Sequence, residues 1–180
     1  MVIFLFVLLI LLIIFGNIFL YGAIIYNKFQ QLIIRIDEVE SLIDNAIRDK
    51  FDLINKSIGI IKANSKIKED LFPEIVKLRS RKLSSFELDR KLVESINQFY
   101  KIKDEYEELR QSDAFIEIIN DLDEVIENLE TYKKYYDENV VKYNLLVRKV
   151  PSNLIAKVFK YKEKEFVDKK DDDDDDKIDL

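Results

Sequence analysis

The sequence predicts an all-α protein. An N-terminal transmembrane helix continues into an antiparallel four-helix bundle, followed by a short C-terminal amphipathic helix and an acidic disordered tail. Three observations predict this. Residues 1–27 contain no charged side chain, and the first charge is Lys28. Beyond it, apolar residues recur every three or four positions over long stretches. The 180 residues include three Gly and two Pro, too few breakers for a fold that turns often. The expected organisation is an anchor at 1–27, the bundle at 28–150, the amphipathic segment at 151–167 and the tail at 168–180.

The opening run is long enough to cross a bilayer, whose hydrocarbon core takes about 20 helical residues. A cleaved leader would need a basic start, a shorter apolar core and a small-residue cleavage pattern. None of these is present, so a retained single-pass anchor is expected. Val2 and Phe15 lie within the span, while Tyr21 and Tyr26 fall where an interfacial aromatic belt belongs. Asn17 is a polar group inside the run. Two readings are open for it, a local backbone hydrogen bond or a contact between helices in the membrane.

From residue 26 to about residue 63, Phe29, Ile33, Ile36, Val39, Ile43, Ile47, Phe51, Ile54, Ile58 and Ile61 form one helical stripe. No Gly or Pro separates this stretch from the anchor, which predicts one unbroken helix. Asn64-Ser65 reads as a turn, and a second helix is expected over about 65–82, its start left open by Pro73. Ser84 and Glu87 form a capping box for a third helix to about Arg110. Its stripe is Leu88, Leu92, Ile96, Phe99, Lys103, Tyr106 and Leu109, with Lys103 interrupting the seam. Ser112 is the expected N-cap of a fourth helix ending before Pro151. There Phe115, Ile118, Leu122, Val125, Leu129, Tyr132, Tyr136, Val140, Tyr143, Val147 and Val150 keep coiled-coil-like spacing. A free coiled coil would bury one seam, whereas four such stretches joined by short turns make a bundle.

An antiparallel bundle returns the fourth helix to the bilayer. Ser152 is expected to cap a short helix over about 153–161. Leu154, Ile155, Val158 and Phe159 share one face of it, with Lys157 and Lys160 turned away. The segment either lies in the membrane interface or covers the open end of the core. The tail over 168–180 holds eight Asp against three Lys, a local charge of −5 out of −6 for the chain. Its six-Asp run repels itself and is expected to stay solvated.

Chemistry is sparse. The chain has no His and no Cys, which removes the commonest general base and the soft metal ligands. Glu105 with Glu108, and Glu127 with Glu130, lack the His that di-metal bundles need. The three Gly cannot assemble a phosphate-binding loop, and no basic stripe suits nucleic acid. The expectation is no enzyme, no cofactor and no resident metal.

Three segments carry a family resemblance. The first is Tyr26-Asn27. The second is Ile43-Asp44 with Ile47-Arg48 and Lys50-Phe51-Asp52-Leu53-Ile54. The third is Tyr136, Val140, Tyr143-Asn144, Pro151-Ser152-Asn153, Ile155-Ala156, Phe159, Tyr161 and Phe166. Together they resemble the LemA family of bacterial membrane proteins over about residues 21–166, with the acidic tail outside. Asn55-Lys56 stands where the family usually has Pro-Asn. The resemblance implies a single-pass anchor and an antiparallel four-helix bundle, and no enzymatic activity, cofactor or ligand. The function expected is a membrane-anchored scaffold or adaptor that meets lipid through its N-terminal helix and other proteins through its bundle surface. The alternative is a lipid-interacting, membrane-remodelling or envelope-stress protein. Lys28 and Arg35 follow the anchor and no cationic side chain precedes it, which favours a cytoplasmic bundle.

Overall fold

The computed structural model describes residues 1–63 and 85–167. The expected second helix, the turn at Asn64-Ser65, the Ser84–Glu87 capping box and the acidic tail lie outside the described residues. Those described are helical with no strand. The helices are α1 (Val2–Ala63), α2 (Ser85–Glu105), α3 (Glu107–Arg110), α4 (Asp113–Arg148) and α5 (Ser152–Phe159). The chain divides into two compact units. One comprises Met1–Glu38 with Asp137–Glu165, the other Val39–Tyr136 with Phe166–Leu180.

α1 runs unbroken from the apolar opening into the charged region, as the lack of breakers predicts. Its first part has an 18-residue window of mean hydropathy 3.2 with none of it buried inside the protein. This is compatible with a membrane anchor. Asn17 Nδ2 donates to the Ile13 carbonyl at 2.8 Å, the local backbone hydrogen bond of the first reading.

Further along α1, the predicted stripe is the core face. Eight of its ten residues are buried, and Ile33 and Phe51 are half-buried. In the second unit, Leu53, Ile54, Ile58 and Ile61 of α1 join Leu92, Ile96, Phe99 and Ile102 of α2. Leu109 of α3 and Phe115, Ile119 and Leu122 of α4 complete this cluster. The Phe99 and Phe115 rings pack at 5.1 Å between centroids.

Two details of the seams differ from expectation. The third predicted helix is broken at Tyr106, whose φ of −112° and ψ of 109° are extended. The stripe does not register the break because Tyr106 and Leu109 still pack on the same core. At the interruption, Ile102 takes the buried position, while the Lys103 ammonium lies 6.0 Å from the Tyr100 ring centroid. The long side chain covers an aromatic face and keeps its charge near water.

Asp89 of α2 is the main polar group of the second unit. Lys50 Nζ donates to its Oδ1 at 2.6 Å and Lys133 Nζ to its Oδ2 at 2.8 Å. The carboxylate is 10% exposed. Burial pushes its pKa up, but the hydrogen bonds and charges of Lys133 and Lys50 outweigh this and hold it below the ordinary carboxylate value. One carboxylate thereby joins helices α1, α2 and α4 within this unit.

Candidate functional site

The candidate site lies in the first unit, where the apolar span of α1 meets the chain after Pro151. The Val150–Pro151 bond is cis. The serine after it does not act as expected. Pro151 is the N-cap residue of α5 and supplies no side-chain bond. The Ser152 hydroxyl instead points back to the last turns of α4, 2.8 Å from the Leu146 carbonyl and 2.7 Å from that of Lys149. Carbonyls at a helix end lack intrahelical partners, so Ser152 closes α4 rather than opening α5.

α5 ends in a tight reversal. Lys160 has φ 57° and ψ 33°, in the left-handed region. The Lys160 N–H donates to the Lys157 carbonyl at 3.3 Å and the Tyr161 N–H to that of Ala156 at 2.8 Å. This is the double hydrogen bond of a Schellman motif, with Lys where Gly is usual. The expected helix end at about residue 161 is therefore two residues too late.

The reversal returns the chain along α1 and α4. Tyr161 packs on Phe29 at 4.7 Å, and its hydroxyl accepts a 2.7 Å hydrogen bond from Gln30 Nε2. The Asn144 side chain clamps the backbone of Lys164. Its Nδ2 donates to the Lys164 carbonyl at 2.8 Å, and its Oδ1 accepts from the Lys164 N–H at 2.9 Å. Arg148 makes a two-pronged pair with Glu163, with Nε to Oε1 at 2.7 Å. The pair raises the Arg148 pKa and lowers that of Glu163. Lys164 Nζ reaches Asp37 at 3.2 Å. Tyr143 stands edge-on to Phe29, and burial, then Tyr161, pushes its phenol pKa up. The hydroxyl therefore stays protonated at neutral pH.

These contacts place the predicted lipid-facing residues. Phe159 packs on Tyr26 at 4.8 Å between ring centroids and stacks on Tyr161 at 5.8 Å. A Cβ added at Gly22 would lie 3.7 Å from Ile155 Cδ1. Ile155 is half-buried and Ala156 buried, while Leu154, Val158 and Phe159 remain exposed by 58%, 73% and 49%. Lys157 and Lys160 are exposed. α5 thus rests its Ile155–Ala156 edge on the protein and leaves three apolar side chains open, beside the end of the apolar run. Val2, Phe15 and Tyr21 are exposed along α1, and Tyr26 is half-buried against Phe159.

Periodicity missed Gln30, Arg148, Glu163 and Lys164, because ion pairs and clamps leave no helical spacing. Asn144 and Tyr161 were named only through the family resemblance. Of the tyrosines in the α4 stripe, Tyr136 and Tyr143 are buried and Tyr132 half-buried. Glu105, Glu108, Glu127 and Glu130 are all exposed. Among the described residues no group of three carboxylates is placed to hold a metal ion.

The family model described as LemA family matches residues 39–179. The chain belongs to the LemA family. The matched range begins after Tyr26-Asn27 and takes in most of the acidic tail. It includes all of α5 and the Asn144–Lys164 clamp, so the C-terminal half of the candidate site is LemA sequence. No curated protein and no solved structure matches the chain.

Proposed function

We propose that this LemA protein is a non-enzymatic scaffold or adaptor, tethered to the cell membrane by the first part of α1. The helices beyond form an antiparallel four-helix bundle whose surface receives other proteins. The observation that carries this reading is the exposed apolar stretch of α1, at mean hydropathy 3.2 with no protein cover, continuous with a helix whose next stretch is a packed core face. Water does not tolerate such a surface on a free monomer. The mixed charges of the helices beyond, and the lack of His and Cys, support binding rather than catalysis.

Affinity purification of the full chain from mild detergent, with crosslinking, is expected to recover recurrent partners. Repeated failure to do so removes the scaffold reading. The antiparallel arrangement is tested by labels at positions 64 and 153. The bundle requires 153 to lie nearer the bilayer.

A second reading, contact of α5 with lipid, is favoured by the exposure of Leu154, Val158 and Phe159 beside Tyr26. The chain contains no Trp, so Val158→Trp gives a single tryptophan, excited selectively over the nine Tyr. Quenching by lipids brominated along the acyl chain is expected. An unquenched signal in a reconstituted bilayer excludes insertion of α5.

A further inference from the structure

We propose that a cleft between α1 and α4 in the first unit binds the headgroup of an anionic phospholipid. The proposal rests on the reading of α1 as a bilayer anchor and concerns a different surface from α5. The cleft holds about 430 Å³, within the usual range for small-ligand sites. Its cationic lining is Lys28 and Arg35 from α1, Lys142 from α4 and Lys149 just past the end of α4. No acidic residue lines it. Among the described residues none of the four cations has a carboxylate within 4.0 Å. Lys28 and Arg35 are seven residues apart in α1, which puts them on one face about 10 Å apart along the axis. Four like charges converging on one cleft repel each other, and a bound anion relieves that repulsion.

The rest of the cleft decides which anion. Leu32, Leu145 and Leu146 line it between the charges, and Leu145 is 57% exposed. A free inorganic phosphate has no use for an apolar floor, whereas a phospholipid brings a phosphodiester and hydrocarbon together. Position points the same way. Lys28 is the first charged residue after the apolar run, so one end of the cleft lies where a spanning helix passes through the headgroup layer. Cations at this level attract anionic lipid. The phosphodiester would sit among the four cations, with the glycerol and first methylenes on the leucines.

The test uses the full chain in detergent, titrated separately with dioleoyl phosphatidylglycerol, dioleoyl phosphatidylcholine and inorganic phosphate, with bound species counted by native mass spectrometry. The expected result is one phosphatidylglycerol held roughly tenfold more tightly than phosphatidylcholine, with each single neutralisation weakening it by about fivefold. The combined variant Lys28→Gln, Arg35→Gln, Lys142→Gln, Lys149→Gln should bind the two lipids alike. The variant Lys28→Arg, Lys142→Arg, Lys149→Arg should bind as the parent does, which separates loss of charge from loss of fold. Lys101→Gln with Lys134→Gln, two exposed lysines of the second unit outside the cleft, should change nothing. Equal affinity of the parent for both lipids overturns the proposal, as does a preference that survives the combined neutralisation. Displacement of the lipid by inorganic phosphate at equal concentration also overturns it, in favour of a free-anion site. Flotation of the full chain with zwitterionic vesicles tests the anchor separately. A chain that floats but does not discriminate between lipids refutes only this cleft.

Discussion

Lys160 carries the clearest local strain. A β-carbon in the left-handed region costs roughly 1–2 kcal/mol, and the Schellman reversal after α5 needs that conformation. Lys160→Gly is expected to stabilise the protein by about 0.5–1 kcal/mol in denaturant unfolding, after the entropic cost of Gly. Asp89 makes the opposite prediction. Asp89→Asn takes away the carboxylate shared by Lys50 and Lys133, leaving Glu130, 3.7 Å from Lys133, on the exposed side, and should cost about 3 kcal/mol at pH 7. The sign of the pH dependence follows from the lowered folded-state pKa. The unfolded carboxyl titrates near 3.9, so the stabilisation is fully present well above that value. It is lost as pH falls through the lower folded-state value. Unfolding curves of the parent and the asparagine variant should therefore converge in acid. A gap that persists unchanged to pH 2 would contradict the ion-pair account.

At the scale of elements, the segment after Pro151 separates into supporting and free residues. Leu154 is exposed, so Leu154→Asp should shift stability by no more than about 0.5 kcal/mol. Phe159 packs on Tyr26 and Tyr161. Phe159→Asp should cost about 1–2 kcal/mol, from the lost ring contacts and the charge placed among them. If α5 touches lipid, both variants should reduce quenching by brominated lipids, and only the second should lower the melting temperature. Asn144→Ala removes both bonds to the Lys164 backbone. It should cost about 1–2 kcal/mol and speed amide hydrogen exchange at Lys164. The presence of α5 and the sharing of one face by its apolar residues were legible in sequence. The role of Ser152 was not, because a serine before a helix reads as a forward cap unless the carbonyls behind it are known to be in reach. The break at Tyr106 was hidden for a related reason. A seam of three-and-four spacing survives a one-residue interruption when the flanking residues reach the same core.

For the whole molecule, sidedness governs which partners are accessible. With the bundle cytoplasmic, protease added outside intact cells should leave residues 28–180 uncut, and permeabilisation should expose them. Digestion in intact cells would reverse the assignment. The sequence by itself determined the all-helical class, the extent of the apolar run, the unbroken passage of α1 into charged sequence, the α4 boundaries to within two residues, and membership of the family. These are local or near-periodic properties, since hydrophobicity per residue and the 3.6-residue turn are written into neighbouring positions. Tertiary structure decided the rest. Gln30 meets Tyr161 across 131 positions and Lys164 meets Asp37 across 127. Asp89 finds its two lysines 39 and 44 positions away. The lysines and arginine of the α1–α4 cleft read in sequence as ordinary solvated charges. Only packing of the two helices brings them around one apolar floor, because the direction in which a charged side chain points is set by what its helix packs against.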